Sequence, residues 1–115
     1  MSQVLERAVE AGEIVQALRS YGVTQTEVGA VAGVSDRAVR AWTRSGIRPE
    51  RYDRLAELRD VVVVLSDSLT ERGVGQWLHA GNRLLGGERP IEVLAEGRFG
   101  DVRAAAQAFV DGSYV

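Results

Sequence analysis

Helix-start and helix-stop signals alternate along this chain at short intervals, and that punctuation limits what it can fold into. Thr24 stands before an apolar stretch with Glu27 three residues on, the spacing of a reciprocal N-terminal cap, and Gly33 closes the stretch. Ser35 opens the next one. Pro49 suits the first turn of another helix, where its missing N–H would have no partner anyway. Asn82 and Pro90 open two more, closed by Gly86-Gly87 and by Gly97. No segment alternates apolar and polar residues over a strand's length. The expected class is therefore all-α.

The spacing predicts helices over residues 3–20, 24–32, 35–44 and 49–68, then shorter ones over 71–79, 82–86, 90–96 and 99–111. In the first, Ser2 is the candidate cap, Leu5, Val9, Ile14, Val15 and Leu18 form the apolar face, and Gly22 ends the run. The fourth carries Tyr52, Leu55, Leu58, Val62 and Leu65 on one face. Its Val61-Val62-Val63-Val64 run has strand propensity, but it continues a helical pattern and has no hairpin partner nearby. A helix with valine on every side is expected to be buried on most sides, as the spine of the molecule. The domain reading is an N-terminal half over 1–48, a linking helix over 49–69 and a C-terminal half over 70–115.

Composition removes much of enzymology. The 115 residues include no cysteine, no lysine and one histidine, His79. Disulfides, thiolate zinc sites, cysteine nucleophiles, Schiff-base lysines and phosphate-loop lysines are excluded. A lone histidine without acidic partners at ligand spacing makes no metal site, so neither catalysis nor a cofactor is expected. The longest apolar run, Val61 to Leu65, is far short of the about 20 residues of a membrane span. Met1-Ser2-Gln3 starts no basic-then-apolar leader, so a cytoplasmic location is expected.

The formal net charge of −2 conceals an uneven distribution. Residues 37–59 hold seven arginines (Arg37, Arg40, Arg44, Arg48, Arg51, Arg54 and Arg59) against three acids, while both flanking segments are net acidic. Because screening at physiological salt acts over about 8 Å, local charge governs what a phosphate would feel.

The same segment carries a tighter pattern. Gly29 is small where two crossing helices must touch, Gly33 allows a turn at positive φ, and Val28, Ala32, Val34, Val39 and Trp42 can fill the wedge between them. These are the demands of a helix-turn-helix over residues 25–44, although a helical hairpin without a DNA role satisfies the packing part alone. The outward side of the second helix shows Ser35, Asp36, Arg37, Arg40, Ala41 and Arg44. The arginines, at i, i+3 and i+7, share a face on a continuous helix, and arginine is the commonest reader of guanine. Thr24 and Gln25, at a helix N-terminus, suit a phosphate, and Arg48 and Arg51 are placed to reach the backbone. Asp36 has the spacing to pair with Arg40 or to accept from a cytosine.

In the C-terminal half, Leu84, Leu85, Ile91, Val93, Leu94, Phe99, Val102 and Phe109 are expected in the core. Trp77 is expected to pack with its indole N–H paired, and His79 to sit partly exposed at a helix end. The chain ends Gly112-Ser113-Tyr114-Val115, with an aromatic and a valine where tails are commonly polar. Such an ending docks onto something, either this protein's own core or dimer mate or a different partner.

Gly22-Val23-Thr24-Gln25-Thr26-Glu27-Val28-Gly29 through Ser35 and Trp42 resembles the Xre-type helix-turn-helix, although many such domains have alanine where Gly29 stands. Trp77-Leu78, Asn82-Arg83-Leu84-Leu85-Gly86-Gly87, Pro90-Ile91-Glu92-Val93-Leu94, Gly97, Val102 and the final four residues resemble the toxin-binding domain of MbcA/ParS/Xre antitoxins. That family joins the two halves in this order. The resemblance implies a helix-turn-helix bundle joined by a long helix to a small all-α toxin-binding domain. It further implies an antitoxin that binds a RES-domain toxin, which consumes NAD or transfers ADP-ribose from it, and that represses the shared operon by binding operator DNA. In several members the tail lies over the toxin's active site, which assigns toxin contact to Gly112, Ser113, Tyr114 and Val115. Operator binding favours a homodimer, with the fourth helix as the expected interface. The other function open to the sequence is a stand-alone repressor whose C-terminal half serves dimerisation or ligand sensing.

Overall fold

The start signals become caps. In the computed structural model, which describes residues 10–112, the Thr24 hydroxyl accepts the Glu27 N–H at 3.1 Å while Glu27 Oε1 accepts the Thr24 N–H at 2.9 Å. Ser35 Oγ accepts from the Ala38 N–H at 3.2 Å, and Asn82 Oδ1 from the Leu84 N–H at 2.9 Å. Pro49 and Pro90 occupy first turns as expected. The elements are α1 (Ala11–Arg19), α2 (Gln25–Ala32), α3 (Asp36–Ala41), α4 (Pro49–Leu65), α5 (Glu71–His79), a 3₁₀ turn (Arg83–Leu85), α6 (Pro90–Ala95) and α7 (Phe99–Asp111). The fold is all-helical, with no strand among the described residues. The Thr70 hydroxyl likewise caps α5, accepting the Gly73 N–H at 3.1 Å.

Helix α2 packs against α1, α3, α4 and α6, and α4 packs against α1, α2 and α7. One apolar cluster therefore runs from Ala11 to Ala106, with Val28, Val31, Leu55, Leu58, Val74, Leu78, Leu94 and Val102 fully buried in it. No helix of the described residues is long and apolar enough to cross a membrane.

Four expectations change. Helix α3 stops at Ala41 instead of Arg44: the Trp42 and Arg44 N–H groups bond three residues back, to the Val39 and Ala41 carbonyls, and the Ser45 hydroxyl also donates to Ala41. Helix α4 stops at Leu65, short of Ser68: the Asp67 and Ser68 N–H groups bond three residues back, to the Val64 and Leu65 carbonyls, and Ser66 Oγ donates to the Val62 carbonyl at 2.7 Å. Val63 is 58% exposed, because the neighbours of α4 cover Val61 and Val62 and leave that stripe open. Leu84, expected in the core, is 51% exposed, since a three-residue turn sends it and the buried Leu85 in different directions. Phe99, Phe109 and Trp77 are partly buried against the core. The Ser2 cap and the Leu5 and Val9 positions lie outside the described residues.

Gly29 lies against the segment that leads into α3. The Gly33 and Val34 N–H groups both bond the Gly29 carbonyl, at 2.8 and 2.9 Å, and a Cβ on Gly29 would stand 2.8 Å from the Val34 carbonyl oxygen. That oxygen belongs to the backbone, so it has little freedom to move away. Gly29→Ala is expected to lower stability by about 1–3 kcal/mol, the usual size of overpacking, although alanine favours a helix by roughly 1 kcal/mol over glycine. Chemical denaturation checks this; a stabilised variant would contradict the close approach.

Candidate nucleic-acid interface

The α2–α3 unit is built as the wedge requires. Val28, Ala32, Val39 and Trp42 are buried and Val34 is half-buried against them. Gly33, at φ 80°, turns the chain from one helix to the next. Asp36 Oδ2 accepts from the Thr26 hydroxyl at 3.2 Å, tying the start of α3 to α2, and no Asp36–Arg40 ion pair forms.

The arginines separate into two groups. Arg37 and Arg40 project from α3, Arg44 lies in the turn after it, and Arg48 is the residue before α4; all four are exposed and have no ion pair among the described residues. Arg44 is thus brought beside the α3 arginines by a turn and not by continued helix, so the i, i+7 face does not extend to it. The other arginines of residues 37–59 are engaged. Arg51 Nη1 donates to the Ala32 carbonyl at 3.1 Å, and Arg54 Nη1 to Val31 at 3.4 Å, which satisfies carbonyls at the C-terminal end of α2. Arg51 is therefore turned inward, not toward a nucleic-acid backbone. Arg54 also lies over the Phe99 ring of α7, 5.7 Å from its centre. Arg59 pairs with Asp60 at 3.1 Å, and Arg103 with Glu57 at 2.6 Å.

Thr24 and Ser35 use a hydroxyl lone pair as helix caps, which leaves each O–H free to donate to a phosphate. Thr24 is exposed, and Gln25 and Ala41 are half-buried at the surface of the same unit. A side-chain contact ties it to α5: His79 Nε2 lies 2.8 Å from Glu27 Oε2, and His79 Nδ1 lies 2.8 Å from the Gly75 carbonyl. Glu27 and His79 are separated by 52 residues, and no local pattern pairs them.

At the other end of the chain, Gly112 takes φ 74° and ends α7, its N–H bonded to the Phe109 carbonyl at 3.2 Å. Ser113, Tyr114 and Val115 lie outside the described residues.

No family model matches the chain. It is 66% identical over 115 residues, all of both chains, to a Mycobacterium tuberculosis protein named Probable mycobacterial cidal antitoxin Rv3188. It is 31% identical over 109 residues to the Mycobacterial cidal antitoxin MbcA of Mycobacterium bovis, covering 93% of this chain and 96% of that protein. Among solved structures, the crystal structure of the M. tuberculosis MbcT–MbcA toxin–antitoxin complex contains a chain that superposes with a TM-score of 0.75 at 30% identity, covering 91% of this chain and 96% of that one.

The two groups of arginines should respond differently to truncation. Arg51→Ala and Arg54→Ala each leave a carbonyl of α2 without its partner and are expected to cost about 1 kcal/mol or more of stability. Arg37→Ala and Arg40→Ala should stay within about 0.5 kcal/mol of the wild type. Denaturation of the four variants checks this; equal losses at all four positions would contradict the division.

Proposed function

Because the chain belongs to the mycobacterial cidal antitoxins, we propose that it neutralises a toxin of its own system through its C-terminal half and represses that system's operon through α2 and α3. The toxin is of the RES type, NAD-consuming or ADP-ribosylating, by the resemblance of the C-terminal half to the MbcA/ParS/Xre domain. No catalytic group or cofactor in this chain enters the reading, and the site of action is the cytoplasm.

The observation that carries the DNA half is a group of four exposed arginines close in sequence that have no ion pair among the described residues. In a chain of net charge −2, Arg37, Arg40, Arg44 and Arg48 cluster on one helix and the segment that follows it, while Arg51 and Arg54 are spent on carbonyls of α2. Arg37 and Arg40 read base edges, Arg44 and Arg48 hold the phosphate backbone, and the Thr24, Gln25 and Ser35 side chains with the free N–H groups at the helix starts add phosphate contacts. Asp36 positions α3 through Thr26, and Ala41 lets the helix lie close to the groove floor. Two copies related by a two-fold axis present two such helices.

For the toxin, the tail supplies the block. Gly112 turns the chain out of α7, Tyr114 offers a large ring with few rotamers to freeze, and Val115 ends in a carboxylate able to pair with arginines that would otherwise grip a diphosphate. Ser113 adds a hydroxyl beside them.

Titration of the chain's own promoter tests the first half. Arg40→Ala is expected to cost about 1–3 kcal/mol of affinity and to relax sequence preference, and the triple variant R37A/R40A/R44A to lose specific binding with a shallower salt dependence. A folded triple variant with unchanged promoter affinity would contradict it. For the second half, the chain lacking residues 112–115 should still bind the toxin but no longer block NAD turnover. Full neutralisation by the shortened chain would remove the tail from the mechanism.

A further inference from the structure

Helix α5 lies against the turn between α1 and α2, and a glycine makes that approach possible. A Cβ on Gly75 would stand 2.6 Å from the Tyr21 carbonyl oxygen, a backbone atom with little freedom to move away. One turn further on, His79 meets Glu27 of α2. Arg72, Gly75, Gln76 and His79 stand at i, i+3, i+4 and i+7, so they share one face of α5. The helix is held on that face at Gly75 and at His79. Arg72, one turn before Gly75, is thereby fixed beside the α1–α2 turn.

Three elements share the surface that results. Arg72 and Gln76 line one open groove, of about 590 Å³, together with Arg19 and Ser20 at the end of α1. Arg19 also lines a second groove, of about 470 Å³, with Thr24, Gln25 and Thr26 at the start of α2. Arg19 and Gly22 belong to both, so the surface runs without a break from the start of α2 to α5. Arg19 and Arg72 are exposed and have no ion pair among the described residues. Glu71 is the one carboxylate that lines either groove among the described residues. The nearby Glu27 carboxylate is spent, one oxygen on the Thr24 N–H and the other on His79.

We propose that this surface carries the sugar–phosphate backbone of duplex DNA past the contacts of α2 and α3, with Arg19 and Arg72 each taking a phosphate. The proposal rests on the DNA half of the reading above and adds that α1 and α5 take part, from outside residues 24–48. Two guanidiniums against one carboxylate leave a local excess of positive charge, and the Ser20 hydroxyl and Gln76 amide add neutral donors. A protein partner is disfavoured, because an interface is anchored by large apolar side chains. Val63 and Leu84, the exposed large apolar residues of the described chain, line neither groove. Phosphate contacts of this kind add affinity and fix orientation while reading no base.

The test titrates the full chain with its promoter duplex and with a shuffled duplex of the same length over a range of salt, and maps the promoter complex by hydroxyl-radical footprinting. The R19A/R72A variant is expected to bind both duplexes more weakly by the same factor. Its log–log salt slope should be shallower by about two, close to one for each lost phosphate contact. Its thermal midpoint should be unchanged, and its footprint should lose protection at the edges only. The R19K/R72K variant should restore the slope, since lysine serves a phosphate as a point charge. A wild-type slope and footprint in R19A/R72A, with specific binding still lost in R37A/R40A/R44A, would overturn the proposal and leave the DNA reading intact. A loss confined to the promoter duplex, or a loss of toxin binding with DNA binding unchanged, would overturn it equally. If the wild-type chain fails to bind the promoter, the DNA reading falls and this surface falls with it.

Discussion

The clamp on α2 is the interaction on which the rest of the structure depends. Eight residues are too few for a helix to be stable alone in water, yet α2 packs against four other helices and carries α3 across its glycine face. Both of its ends are held by side chains from later in the sequence. At the N-terminus, Glu27 completes the Thr24 cap with one oxygen and meets His79 of α5 with the other. At the C-terminus, Arg51 and Arg54 of α4 satisfy the Ala32 and Val31 carbonyls, and Arg54 lies over Phe99 of α7. The orientation of α3, and of the arginines it displays, is thereby set by residues of α4, α5 and α7. One core joins all of these helices, and a fragment cut at residue 48 would lose both clamps.

Charge is divided with the same economy. Arginine is the sole basic residue apart from His79, and it does three jobs here. Some guanidiniums close helix ends, some tie acidic side chains together, and those of Arg37, Arg40, Arg44 and Arg48 stay open to solvent. The open set forms a basic surface around α3. The Arg98 cluster, with more carboxylates than guanidiniums, forms an acidic one beside α7. A small protein with little net charge can in this way present opposite local fields to two different partners.

What the sequence made legible followed from the range of each signal. Caps and stops act within four residues, so Thr24, Ser35, Asn82 and Pro90 located their helices to within a residue or so. The ends of α3 and α4 were overestimated because serine competition with the ladder is weaker and harder to weigh than a glycine or a proline. The exposures of Val63 and Leu84 depend on which neighbours arrive from elsewhere in the chain, and apolarity alone does not carry that. The candidate DNA residues were legible as types and positions; that Arg51 is spent on α2 while Arg48 is free was not, since both look alike in a basic run. The Glu27–His79 contact needs the tertiary fold and had no signature at all.

Two surfaces of opposite charge on separate elements of one core should be usable at the same time. The direct measurement adds purified toxin to the complex of this chain with its own promoter fragment and follows the mass of the DNA-containing species. A heavier species holding DNA, chain and toxin together is the predicted result. Stoichiometric release of the DNA as toxin binds would contradict it, because the two partners would then be competing for one surface.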